Sequence, residues 1–155
     1  MVRIPTRARQ LVCRHIARPG KWYNAAKGEL IMAHKILVVE DNESLCNVLA
    51  DTFTDEGFEV KTAFDGEAGL EAAKEWKPDV MLLDLLLPKK DGEDLLKELR
   101  QEEGGDSVAT VALTNSDSSE KVYNLMNLGV TDYLTKSDWE LSDLVEKVKE
   151  KLTSE

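Results

Sequence analysis

From Lys35 onward the apolar positions of the chain switch repeatedly between two periods. Ile36 to Val39 and Val80 to Leu83 are short apolar runs without internal alternation, the pattern of strands covered on both faces in a parallel sheet. Between and after them the apolar residues fall at helical spacings. Asn42 can cap a helix carrying Leu45, Val48, Leu49 and Phe53 and ending at Gly57. A short strand over 58–63 follows, then a helix near 66–75 capped by Asp65 and stopped by Pro78. After the second apolar run comes a helix with Leu95, Leu96 and Leu99 inward, ended by Gly104-Gly105. Val108 to Leu113 reads as a fourth strand, and Asp117-x-x-Glu120 as a capping box for a helix over 117–128 closed by Gly129. Val130 to Leu134 reads as a fifth strand. A second capping box, Ser137-x-x-Glu140, opens a last helix with Leu141, Leu144, Val145, Val148 and Leu152 inward.

Strand-helix units joined by short connections require right-handed crossovers and helices on both sheet faces. The expected fold is therefore α/β: a flavodoxin-like, doubly wound (βα)5 domain over 35–155, with five parallel strands in the order 2-1-3-4-5.

Residues 1–34 do not share this pattern. They mix arginines with Pro5, Pro19, Gly20 and Gly28 and show no sustained period, so a poorly ordered extension is expected, or a short helix near 6–17. The segment carries seven Lys/Arg and one acid, a net of +6, whereas the remainder carries 13 basic and 29 acidic residues, a net of −16. Three readings compete for it: a basic tail that touches acidic partners or nucleic acid, a targeting peptide, or upstream sequence translated from a start codon placed too early. The last is favoured, because Met32-Ala33-His34-Lys35 directly precedes the first strand and codons for Lys27-Gly28-Glu29 can spell a ribosome-binding site.

The acidic body argues against nucleic-acid binding by the folded domain. Cys13 and Cys46 have no metal-ligand spacing, and His15 and His34 stand alone. No apolar run reaches the length of a membrane span, and a cytoplasmic protein without membrane contact is expected.

Both of the strongest apolar runs end in carboxylates. Glu40 and Asp41 follow the first, and Asp84 ends the second before Pro88 and the Asp91-Gly92 turn. In strand order 2-1-3-4-5 these strands are neighbours, so Glu40, Asp41 and Asp84 converge at the carboxyl edge, where open α/β sheets bind ligands. Like charges so placed repel unless a cation sits among them, and Mg²⁺ suits a small oxygen set of this kind. The same edge receives Thr114 and the segment Tyr133-Leu134-Thr135-Lys136. Carboxylates, a hydroxyl and an ammonium suit phosphoryl chemistry, with Asp84 as nucleophile, Lys136 neutralising phosphoryl oxygens and Thr114 donating a hydrogen bond.

Over 35–153 the sequence resembles the receiver domains of two-component response regulators. Lys35-Ile-Leu-Val-Val-Glu40-Asp41 is similar to the family's first strand and acidic pair, and Asp84-Leu-Leu-Leu-Pro88-Lys-Lys-Asp91-Gly92 to its phospho-acceptor loop. Thr114 and Lys136 match its hydroxyl and lysine, and Tyr133 its switch aromatic. The resemblance implies that Asp84 accepts phosphate from the phosphohistidine of a sensor histidine kinase or phosphotransfer protein. It implies that Asp41, Asp84 and the Leu86 backbone carbonyl bind Mg²⁺, with Glu40 acting through water. Tyr133 would follow Thr114 inward and alter the face of the fourth helix, fifth strand and fifth helix.

Two positions depart from the family pattern. Ser137 stands where proline commonly follows the lysine, so a trans bond is expected there, and Asn115 stands where a small residue is usual. No output domain follows the fifth helix, so the expected mode is docking to a downstream protein target. Autodephosphorylation would be slow, without turnover of small molecules. The alternative is a constitutive interaction module that keeps the fold without using phosphorylation. A flavodoxin-type cofactor binder lacks its phosphate loop here, and a haloacid-dehalogenase-type phosphatase would want an aspartate where Leu86 stands.

Overall fold

A computed structural model describes residues 13–15, 21–24, 29–32, 34–105, 108–114, 119–130, 132–135 and 139–153. Three short strands come first: β1 (Cys13–His15), β2 (Lys21–Asn24) and β3 (Glu29–Met32). They form an antiparallel meander in that order, with Arg14 opposite Tyr23 and Trp22 opposite Ile31. Where a poorly ordered extension or a short helix near 6–17 was expected, Cys13–His15 is a strand. The aromatic and β-branched positions Trp22, Tyr23 and Ile31 favour extended pairing, which overrides the weak helical spacing of the arginines.

The remaining elements are β4 (Lys35–Val39), α1 (Glu43–Asp55), β5 (Glu59–Ala63), α2 (Gly66–Trp76), β6 (Val80–Asp84), α3 (Gly92–Gln101), β7 (Ala109–Thr114), α4 (Ser119–Asn127), β8 (Asp132–Thr135) and α5 (Leu141–Thr153). All neighbouring strands of this sheet are parallel, in the order β5-β4-β6-β7-β8. That is the 2-1-3-4-5 order expected of the five units.

Alternate residues of the central strands feed two cores. Ile36, Val38, Val80, Leu82, Val111 and Leu113 pack with Cys46, Leu49 and Phe53 of α1 and Leu144, Val145 and Val148 of α5. Leu37, Val39, Met81, Leu83 and Ala112 pack on the other face with α2, α3 and α4 through Leu70, Leu95, Leu96, Leu99 and Leu125. Every residue of β6 is buried, as an unalternating run in the sheet centre requires.

Local chemistry fixes the helix starts. Asn42 accepts from Leu45 N at 3.1 Å, Asp65 from Ala68 N at 2.8 Å, and Asp91 from Glu93 N at 3.3 Å. The last helix differs from expectation. It opens at Leu141, with Glu140 N donating to Asp143 Oδ2 at 3.1 Å, so the side chain that reaches back is Asp143 rather than Glu140. Ser137 and Asp117, the proposed caps, lie outside the described residues. One expected core position is also corrected, since Leu141 is 36% exposed, and the apolar Val48 of α1 is 46% exposed. The buried stripe of α1 runs through Cys46, Leu49 and Phe53 instead, and Leu141 sits in the first turn of α5, ahead of Leu144 where burial begins.

Candidate functional site

The carboxyl edge of the sheet is where β4 and β6 lie side by side. Val39 pairs with Leu83 in register, so Glu40 and Asp84 are each the next residue on adjacent strands. Glu40 continues the ladder, its N–H donating to Ala63 O at 3.0 Å, and its side chain is fully buried. Glu40 Oε1 accepts from Asn42 N at 3.1 Å, which ties the buried carboxylate to the cap of α1. Asp41 is exposed, whereas Asp84 is only 4% exposed.

Glu40, Asp41 and Asp84 each bring one carboxylate oxygen within 4.8 Å of the others. It is the one such cluster among the described residues. Three oxygens so close form a hard-cation donor set, and a buried carboxylate that shares its site with two others gains from a cation's presence.

The loop after β6 is built around Asp84. Leu85 N donates to Leu113 O of β7 at 3.2 Å, and Leu86 N donates to Asp84 Oδ1 at 3.1 Å. The strand ends at Asp84, Pro88 follows within the loop, Lys89 adopts φ +66°, and Gly92 N returns to Leu85 O at 3.0 Å. At Gly92 a Cβ would stand 2.6 Å from the Asp84 carbonyl oxygen, so α3 can begin there only on a glycine.

Thr114 ends β7 beside Asp84's strand and is 4% exposed; it pairs in register with Thr135 of β8. Tyr133, opposite Ala112, is 46% exposed. Lys136, Asn115 and Ser137 lie outside the described residues. The expected carboxylates and Thr114 are thus at one edge, with Tyr133 on the last strand beside them.

One feature of the site escaped the sequence reading. The start of α2 is strapped to the Asp84 loop: Gly66 N donates to Pro88 O at 3.2 Å, and Asp65 pairs with Lys89 at 3.6 Å. The Ala68 N–H bond to Asp65, aided by Lys89, holds the Asp65 carboxyl below its ordinary range. The signal available in the sequence was Gly66 itself, a poor helix former placed directly after an N-cap.

The family profile described as response regulator receiver domain matches residues 36–149. The chain belongs to the response regulator receiver family. Phosphorylation-based signalling in two-component systems is the role of that family. Among curated relatives, the alkaline phosphatase synthesis transcriptional regulatory protein PhoP of Bacillus subtilis (strain 168) is 42% identical over 106 residues, covering 68% of this chain and 43% of that protein. The receiver therefore spans less than half the length of that relative. Among solved structures, the CheY-like receiver domain protein of Methanospirillum hungatei JF-1 is 28% identical with a TM-score of 0.72, covering 79% of this chain and 95% of its own. The chemotaxis response regulator CheY4 of Vibrio cholerae is also 28% identical with a TM-score of 0.72, covering 77% and 99%. No helix among the described residues is long and apolar enough to cross a membrane.

Proposed function

We propose that this receiver takes a phosphoryl group on Asp84 from the phosphohistidine of a sensor histidine kinase or phosphotransfer protein in the cytoplasm. The observation that carries the reading is the convergence of Glu40, Asp41 and Asp84, with Asp84 buried at a strand end and held by the loop's own backbone. An Asp84 carboxylate oxygen forms the new O–P bond as the donor's N–P bond breaks. The electron pair leaves on the imidazole nitrogen, which takes a proton from solvent.

The donor set fits Mg²⁺, which would be held by Asp41, Asp84 and the Leu86 carbonyl, with Glu40 acting through water; when bound, it neutralises charge on the transferring phosphoryl group. Thr114 donates its hydroxyl to a phosphoryl oxygen and Lys136 supplies a positive charge. Tyr133, now half exposed, follows Thr114 inward, and the population shift is read by a downstream protein that docks on the α4-β8-α5 face. The functional unit is 35–155, with residues 1–34 outside it.

The test is intact mass after incubation with phosphoramidate and Mg²⁺. The wild type gains one phosphoryl group and Asp84→Asn gains none. A gain that persists in Asp84→Asn overturns the assignment.

A further inference from the structure

The loop that carries the Leu86 carbonyl is held by glycines on two different helices. Gly92, the first residue of α3, lies against Asp84 and Leu85 at the loop's start. Toward its far end Gly66, the first residue of α2, lies against Lys90: a Cβ there would overlap the Lys90 carbonyl oxygen and stand 2.6 Å from the carbonyl carbon. Both Lys90 atoms are backbone, so the overlap cannot be relieved by turning a side chain. Gly66 N also donates to Pro88 O, and Asp65 reaches Lys89, whose backbone sits at φ +66°. Lys90 is tied in turn to Glu98 of α3. Loop 85–91 therefore rests between α2 and α3, and the α2 side of that cradle exists only while position 66 lacks a side chain.

We infer that Gly66 is a positioning residue for the metal site: by letting α2 close against Pro88 and Lys90, it sets where the loop holds the Leu86 carbonyl relative to Asp84. The inference rests on the reading of Asp84 as the acceptor beside Mg²⁺. Its physical basis is that loop 85–91 is a short segment with fixed ends. Moving Lys90 outward shifts the residues before it, and Leu86 is bonded through its N–H to Asp84 Oδ1. A displacement on the order of 1 Å at a reacting site costs about two decades in rate, and losing the groups that orient a metal's ligands costs about one to two decades in metal affinity. Asp65→Asn provides a milder perturbation. It keeps a good helix cap but removes the charge that faces Lys89.

The experiment uses the full chain and titrates MgCl₂ by calorimetry, with thermal melting and phosphoryl uptake from phosphoramidate at saturating Mg²⁺ as further readouts. Gly66→Ala is expected to raise the Mg²⁺ dissociation constant about tenfold or more. Asp65→Asn is expected to raise it more than Glu67→Gln, which removes an equal charge from the same helical turn without touching Lys89. Leu70→Ala, a core truncation in α2, controls for destabilisation: it should lower the melting temperature and leave the Mg²⁺ constant unchanged. If Gly66→Ala binds Mg²⁺ as the wild type does, or falls in step with Leu70→Ala, the inference is overturned while the Asp84 reading stands. If Gly66→Ala does not fold, Asp65→Asn against Glu67→Gln decides, and equal constants overturn the inference. Wild type that binds no Mg²⁺ overturns both.

Discussion

Arg100 on α3 holds the end of α4 by donating from Nε to the Leu128 carbonyl at 3.0 Å. The same guanidinium donates to Val108 O at 3.0 Å and to Gly105 O, and approaches the buried Thr110 hydroxyl at 3.4 Å. One planar fork thereby joins the turn after α3, the start of β7 and the turn after α4. Thr110 and Thr114 stand on the same strand, so β7 links this clamp to the carboxyl edge of the sheet, where Glu40, Asp41 and Asp84 lie.

Loss of the clamp should be costly because it leaves several carbonyls without their charged donor. Arg100→Ala is expected to destabilise the receiver by about 3 kcal/mol, near the upper range for a single substitution. Arg100→Lys should recover less than half of it, since one ammonium cannot span acceptors on three elements. Chemical denaturation measures the loss. Hydrogen exchange should show faster opening around Leu128 and Gly129 in both variants, and a loss within about 0.5 kcal/mol would refute the clamp.

Much of this architecture was legible because the apolar runs at 36–39 and 80–83 lack alternation, and each ends in an acid. Those two facts give the neighbouring parallel strands and the convergence of Glu40, Asp41 and Asp84. Of the apolar positions on α1, Val48 faces solvent because the helix carries them on more than one face; Cys46, Leu49 and Phe53 form the fully buried i, i+3, i+7 stripe that meets the sheet, with Leu45 packed at its edge. The Arg100 clamp leaves no mark in the sequence, and the Gly66 contact leaves only a glycine placed directly after an N-cap. Each depends on backbone carbonyls from segments distant in sequence, and a carbonyl leaves no trace in residue type.

Cys46 supplies a pH-dependent prediction. Burial pushes its thiol up to about 11, assisted by the charges of Glu40 and Glu43. The folded state thus holds the proton more tightly than the unfolded chain, whose thiol titrates near 9.0. The stability from this group is fully present below pH 9.0 and is lost as pH rises through about 11. Over that window the loss amounts to at most about 2.7 kcal/mol. Melting of the wild type should fall across it, and Cys46→Ala should flatten the fall while costing on the order of 1 kcal/mol at neutral pH. Alkylation by iodoacetamide should require unfolding; rapid labelling of the native protein would contradict the burial.

The last prediction separates a metal site from ordinary surface acids by two effects of opposite sign. With the site empty, Asp41 adds a negative charge within 4.8 Å of the buried Glu40 and Asp84 carboxylates. Asp41→Ala should therefore stabilise the metal-free receiver, on the order of 1 kcal/mol, because the repulsion it relieves is only partly screened at the protein surface. With Mg²⁺ present the sign reverses. Wild type held at a hundred times its dissociation constant gains about 2.7 kcal/mol by linkage, and the variant, lacking a direct ligand, should lose most of that gain. Melting both proteins with and without millimolar Mg²⁺ gives four temperatures, and the order expected is wild type with Mg²⁺ highest and wild type without it lowest. A solvated acid would move neither comparison beyond about 0.5 kcal/mol. Identical melting of wild type and variant under both conditions would mean that the three carboxylates tolerate one another without a cation, and the case for Mg²⁺ at Asp84 would fail.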